Sequence, residues 1–410
     1  MGSGSGVLQA FFLWNFVRGV TVGIAGTATL YVAEQTGVAQ GLMAFSRGVG
    51  MICGPLLMSK LLGKLIWSGE SQYGFGSVLA FKALCVLLVP RLSHAWSLCL
   101  SFFGVGAAMA VLDTFNIMLV GRLLKARSGA ELAKYDLCYG VGGMVAPYIA
   151  ILVHRHSWDV LATVDLVMAF WVIRRRACIG KPTDWKQKIR NPEQGVATKN
   201  GSMDQVSQSV PPKVLRAGLT FAFISQIGST SISAWGFAFT TKRFGFSEEW
   251  AALVPSSFYL ASMLPRLVNT YLARHILAST LVHVSLIFIV LGSMSVFAAS
   301  VMLTGDVDQR HGYIFMFLGI WLMGTGYANH YSMLLVSMTQ HGELSSQQSG
   351  MFGSSVCFGI TVGLWLAGLI DLAHVELGIA TLLTAIWTAH IREFPFCGTL
   401  KKNGASRESP

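Results

Sequence analysis

The chain has 410 residues, 53% hydrophobic and 12% charged, with a mean hydropathy of +0.56. Soluble domains carry about a quarter charged residues, so this balance excludes an ordinary soluble enzyme. The net charge of +11 is gathered in particular loops, and no basic helix interleaved with aromatics occurs, which argues against a nucleic-acid partner.

Residues 1–6 are Gly/Ser-rich and lead directly into an apolar run too long for a cleaved signal peptide, so the first span is expected to stay as an anchor. Apolar runs measured against the ~20 residues needed to cross a bilayer predict six helices over 9–34, 38–60, 75–90, 95–120, 133–153 and 157–173. Segment 174–212 then changes character. It opens on Arg174-Arg175-Arg176, continues through Lys181, Lys186, Lys188 and Arg190, and has too little apolar content to bury anything, so it reads as a linker. Six further helices are predicted over 213–241, 248–272, 275–303, 312–338, 346–370 and 375–391.

The expected fold is therefore all-α and integral to the membrane, with twelve transmembrane helices in two six-helix bundles. Its units are 1–173, the basic linker 174–212, the second bundle 213–393 and a tail 394–410. With the N-terminus in the cytoplasm, 22 of the 30 Lys and Arg residues fall on the cytoplasmic side, 5 outside and 3 in the membrane. That bias predicts both termini inside. The plasma membrane is the expected location, an organelle membrane the alternative.

The second half echoes the first. Gly19 pairs with Gly228, Gly37 with Gly245 and Pro55 with Pro265, and Leu137-Cys138-Tyr139-Gly140-Val141 pairs with Val356-Cys357-Phe358-Gly359-Ile360, all in the same order. Duplication of a six-helix unit explains this economically, and such repeats organise many secondary transporters. Gly19/Gly23, Gly50/Gly54 and Gly359/Gly363 mark places for close helix approach.

A 6+6 chain with a basic central loop resembles the major facilitator superfamily. Asp113-Thr114-Phe115-Asn116 in the fourth helix is similar to the acid-Thr-x-x-Asn signature of the branch holding the sodium-dependent glucose transporter-like proteins and the fucose–proton symporter, one residue shorter. Asp136-Leu137-Cys138-Tyr139-Gly140 through Ala146-Pro147 fits that branch's fifth-helix frame, with Asp136 in the histidine position. Gly54-Pro55-Leu56-Leu57-Met58-Ser59-Lys60 lacks the acid of the superfamily's helix-2 loop, and Gly228-Ser229-Thr230 lacks the acid that related carriers hold in helix 7. The resemblance implies alternating access around a cavity lined by helices 1, 4, 7 and 10.

Charges in hydrocarbon cost several kcal/mol unless paired or hydrated, so each needs a partner or a task. Asp113 and Asn116 share a helical face, as do Asn15 and Arg18. Asp113 is expected to meet Arg18 or Arg47, either as an H+ or Na+ coupling site or as a static ion pair. Lys82 and Asp165 are expected to form a structural bridge. In the second half, Gln226, Ser229, Thr230, Ser233 and Trp235, then Tyr327, Asn329, His330 and Tyr331, offer amides, hydroxyls and aromatic faces suited to a neutral polar solute such as a hexose.

No metal cluster, nucleophile–base pair or phosphate loop stands out, so no cofactor and no enzymatic activity are expected. The expected partners are a small-molecule substrate and the lipid bilayer, with the protein acting as a monomer. The alternatives are a non-transporting sensor of the same fold and a carrier of lipids or amphiphiles.

Overall fold

The computed structural model describes residues 4–67, 71–124, 128–153, 156–174, 210–272, 276, 278–304, 309–339, 341 and 346–390. Linker residues 175–209 and the whole tail 394–410 therefore lie outside the described residues. Within the described set there is no strand. Twelve α-helices follow one another: α1 Gly4–Thr36, α2 Gln40–Trp67, α3 Ser71–Leu88, α4 Ala95–Leu124, α5 Ser128–Val153, α6 Ser157–Arg174, α7 Pro212–Phe244, α8 Glu248–Leu272, α9 Ala278–Thr304, α10 Gln309–Thr339, α11 Ser346–Leu369 and α12 Leu372–Ala389. A single 3-10 turn, Val89–Arg91, follows α3.

Several helices outrun their predicted apolar spans, α1 by five residues at its start and α2 by seven at its end. Apolar counting stops where headgroups begin, whereas the backbone ladder continues into the polar zone. The ends have local causes. α7 has Pro at its first position and stops at Gly245, whose N–H returns to the Thr240 and Thr241 carbonyls. α12 is capped by Asp371, whose carboxylate accepts from the Ala373 N–H at 3.0 Å.

The helices pack as two copies of one plan. α1 lies against α5, α2 against α4, and α3 against α6 and α4. Advancing every number by six gives the second half: α7 against α11, α8 against α10, and α9 against α12 and α10. The contacts between halves obey the same symmetry, because α5 on α8 and α2 on α11 exchange under that shift, while α1 meets its own counterpart α7.

The surface is apolar and the interior holds the charges. Phe81, Leu84 and Leu88 on α3, Val160, Val164, Val167 and Phe170 on α6, and Val284, Ile287, Leu291 and Met294 on α9 are exposed at helical spacing. Lys82, Asp165 and Glu376 are completely buried. A protein solvated by lipid needs that arrangement.

Six described segments are long and apolar enough to cross a bilayer on composition alone: Phe12–Thr36, Tyr73–Arg91, Ala95–Phe115, Glu248–Val268, Ala278–Thr304 and Leu372–Ala389. Other helices carry polar groups turned inward, such as Asp165 in α6, Ser225, Ser231, Ser233 and Thr240 in α7, and His330 and Ser337 in α10.

Candidate functional site

The three seams between the halves each close on a glycine. A Cβ on Gly26 of α1 would come within 2.8 Å of the Ala234 carbonyl of α7, and one on Gly48 of α2 within 2.7 Å of Thr361 of α11. One on Gly143 of α5 would come within 2.6 Å of the Tyr259 ring of α8. Only the missing side chain permits such approach. The Ser256 hydroxyl adds a bond across the third seam, donating to the Met144 carbonyl at 2.9 Å.

These contacts gather in the half of the molecule farther from the linker. There the Tyr31 hydroxyl at the end of α1 donates to Glu248 at the start of α8 at 3.1 Å. Beside it Leu30, Ala234, Trp235, Phe237, Phe246 and Leu364 make an apolar plug drawn from both halves.

Helical spacing carries each seam toward the centre. Two helical repeats of four residues back from Gly26 lies Arg18, and the same step back from Ala234 passes Thr230 to Gln226. Two stripes thus meet at Gly26 and Ala234 and run about 12 Å toward the linker side, and Gln226 on the second packs its Cβ against Gly359 of α11. The first stripe holds Arg18. The second holds Gln226 and Thr230, both half-buried.

At that level Arg18 Nη2 lies 2.8 Å from Asp113 Oδ2 of α4, with 24% and 15% of the two side chains exposed. Arg18 Nη1 donates to the fully buried Asn15 amide oxygen at 3.4 Å. The Arg18 guanidinium lies over the Tyr139 ring at 5.0 Å, and Tyr139 meets Tyr259 of the other half edge-on at 5.9 Å. Cys357 of α11 stands within electrostatic range of both charges. Of the two pairings expected for Asp113, the structure forms the one with Arg18.

Arg47 of α2 is buried, and among the described residues no carboxylate lies within ion-pair distance of it. Its backbone packs on α4, where a Cβ on Gly106 would strike the Arg47 carbonyl. Its side chain borders a cavity of about 20 Å³ shared with Gly26, Thr29, Gln40, Ala234 and Trp235.

The second expected pair is also present, away from the centre. Lys82 Nζ donates to Asp165 at 3.0 Å and to the Thr21 hydroxyl at 2.9 Å, and it lies 5.1 Å from the Trp14 ring. It ties α3, α6 and α1 together inside the first half.

The remaining predicted residues divide. Trp235 borders the small cavity, but its indole N–H is committed to the Leu364 carbonyl at 3.1 Å. His330 sits inside the second half against Phe221, ring centroids 4.8 Å apart, and Tyr327 at 5.9 Å. The structure therefore does not bring His330 to the two stripes. The side chains of Asn116, Asp136, Asn329 and Tyr331 lie outside the described residues.

One group escaped the sequence reading. Glu376 of α12 is fully buried and accepts from the Tyr327 hydroxyl at 2.9 Å, while its other oxygen has no hydrogen bond among the described residues. A Cβ on Gly228 would fall 1.9 Å from that hydroxyl, so glycine there makes room for the bond. The signal was available: an acid within a predicted apolar span, the rule that singled out Lys82 and Asp165.

Comparison with known proteins adds the following. A sequence profile of the Major Facilitator Superfamily matches residues 11–364. None of the curated proteins compared with the chain matches it in sequence. Among solved structures, a point mutant of the nucleoside transporter NupG superposes with a TM-score of 0.66 at 14% identity, covering 96% of this chain and 100% of that one. The peptide transporter POT in complex with sulfate superposes with a TM-score of 0.66 at 12% identity, covering 94% and 95%.

Proposed function

The chain belongs to the Major Facilitator Superfamily, and on that premise we propose that this multi-pass transporter carries a small polar organic solute by alternating access. The observation that carries the proposal is the pair of stripes on α1 and α7 that meet at Gly26 and Ala234. They are sealed at Gly26 and Ala234 on one side and hold Arg18, Gln226 and Thr230 toward the other. A small polar solute at that level would find the Gln226 amide and the Thr230 hydroxyl as hydrogen-bonding partners. Two of the solved structures that share the fold are a nucleoside transporter and a peptide transporter.

The Arg18–Asp113 pair is the group we assign to coupling. It lies in the first half, keeps some exposure, and takes its charges from two different helices, so a proton or a sodium ion at Asp113 would loosen Arg18 and bias the rocking of one half on the other. With the linker in the cytoplasm, as the Lys and Arg distribution supports, the conformation described above is closed to the outside. The expected membrane is the plasma membrane.

The test is reconstitution of the full chain in liposomes and uptake of labelled sugars, nucleosides and organic acids, with and without imposed proton or sodium gradients. Saturable uptake of one class, raised by one gradient, is the expected result. A correctly folded preparation that moves none of these solutes, and exchanges none, would overturn the proposal.

A further inference from the structure

Arg47 poses a problem that the transport reading alone does not solve. A guanidinium carries five N–H donors and a charge that is not lost at any accessible pH. Arg47 is 95% buried in the seam between the halves, its Nε has no hydrogen-bond partner, and no described side chain or carbonyl accepts from it. Tyr139, Tyr259, Arg18 and Lys82 lie within electrostatic range of it. Asp113, the acid of the central site, is engaged by Arg18. Arg18 and Asp113 are thus paired with each other, whereas Arg47 has no carboxylate within ion-pair distance among the described residues. A buried charge without a counter-charge is strongly unfavourable, and in a transporter interior it marks a place that something else fills.

We propose that Arg47 is the subsite for an anionic group of the cargo, so that the transported solute is a small organic acid with a carboxylate. This rests on the transport function proposed above and narrows its substrate class. A carboxylate matches the guanidinium fork in two parallel bonds, and Tyr139 and Tyr259 lie within electrostatic range of the same guanidinium. The hydroxyl-bearing remainder of the solute then lies toward Gln226 and Thr230, which favours a sugar acid or hydroxy acid over a neutral hexose. Arg47 borders the small cavity beside Gly26 and Ala234, where the two halves part when the far side opens. At about 20 Å³ that cavity has room for about one water molecule, so a carboxylate reaches the guanidinium as the two halves part there.

The experiment uses the purified full-length protein and two matched probe pairs, gluconate with gluconamide and lactate with lactamide, in which only the charge differs. Binding is read by calorimetry. At least one carboxylate is expected to bind saturably and its amide at least about tenfold more weakly. Arg47→Gln should lower carboxylate affinity by about ten- to a hundredfold. Arg47→Lys, which keeps the charge without the fork, should fall between.

Equal binding of acid and amide, undiminished binding to Arg47→Gln, or no binding of either acid to the wild type each overturns the proposal. If Arg47→Gln does not fold, the acid-against-amide comparison on the wild type decides by itself. Counterflow in liposomes separates this inference from the one it rests on. A bound carboxylate that never exchanges refutes transport and leaves the Arg47 site standing, whereas exchange of glucose with no carboxylate bound refutes the site and leaves transport standing.

Discussion

Gly37 and Gly245 hold the same left-handed backbone conformation, at φ 70° and 65°, each one residue beyond the end of the first helix of its half. No atom lies within 4 Å of where a Cβ would stand at either position. The two turns are one structural device used twice, and their chemistry gives a clean measurement. Gly37→Ala and Gly245→Ala should each cost about 1 kcal/mol from backbone strain alone, and the double variant about the sum. Thermal unfolding in detergent checks this; a large cost at one glycine with none at the other would contradict their equivalence.

Neutralising Asp113 should separate binding from energy coupling. In Asp113→Asn, Arg18 loses the partner it holds at 2.8 Å, so concentrative uptake should fall to simple equilibration while exchange across the membrane continues. Accumulation at the wild-type level would show that the pair is only architectural.

The Lys82–Asp165 bridge should behave oppositely. Both side chains are fully buried, so Lys82→Met or Asp165→Leu alone strands a charge and should destabilise the protein by about 3–5 kcal/mol. The two together should restore most of the loss, with transport kept. Surface expression and unfolding temperature are the readouts, and failure of the double variant to recover would assign the bridge a further role.

Glu376 and Tyr327 should be coupled through Gly228. Tyr327→Phe removes the donor to Glu376 and should cost about 1–3 kcal/mol. Gly228→Ala displaces the same hydroxyl, so its penalty should shrink when Tyr327 is already Phe. Strict additivity of the two in unfolding experiments would mean that the close approach does not support the bond.

Gly26→Leu should hold the far side apart. A leucine cannot fit where even a Cβ meets Ala234, so the distance between spin labels on Glu34→Cys and Glu249→Cys, both exposed positions beside the Tyr31–Glu248 bond, should lengthen. An unchanged distance would show that closure does not depend on this seam.

The helices were readable in the sequence because lipid imposes a coarse requirement, an apolar run of sufficient length, which composition satisfies or does not. Their ends were less readable, as α1 and α2 show, because the backbone ladder ignores the boundary that apolar residues respect. Pairings followed wherever a charge in hydrocarbon left few partners: Asp113 with Arg18, and Lys82 with Asp165. The same reasoning, applied to α12, reaches Glu376. The role of Arg47 was not legible, since nothing in a sequence says that a residue will find no partner. The seams were hidden for a different cause. Among 44 glycines, nothing local distinguishes Gly26, Gly48 and Gly143 from those that pack helices within one half. The neutral set split because helical register, more than residue type, decides which way a side chain turns. Gln226 and Thr230 fall on the stripe that Ala234 defines, whereas His330 turns into the second half.

Closure on the far side is made by main chain against main chain, a threonine and an aromatic ring, at three points that tolerate no added atom. Such a joint has no intermediate setting. A rigid molecule lodged between Gly48 and Thr361 would act as a doorstop, holding every later step of the cycle at bay without touching Arg18, Gln226 or Thr230. Blockers found this way should be non-competitive, and their potency should track thickness more than charge.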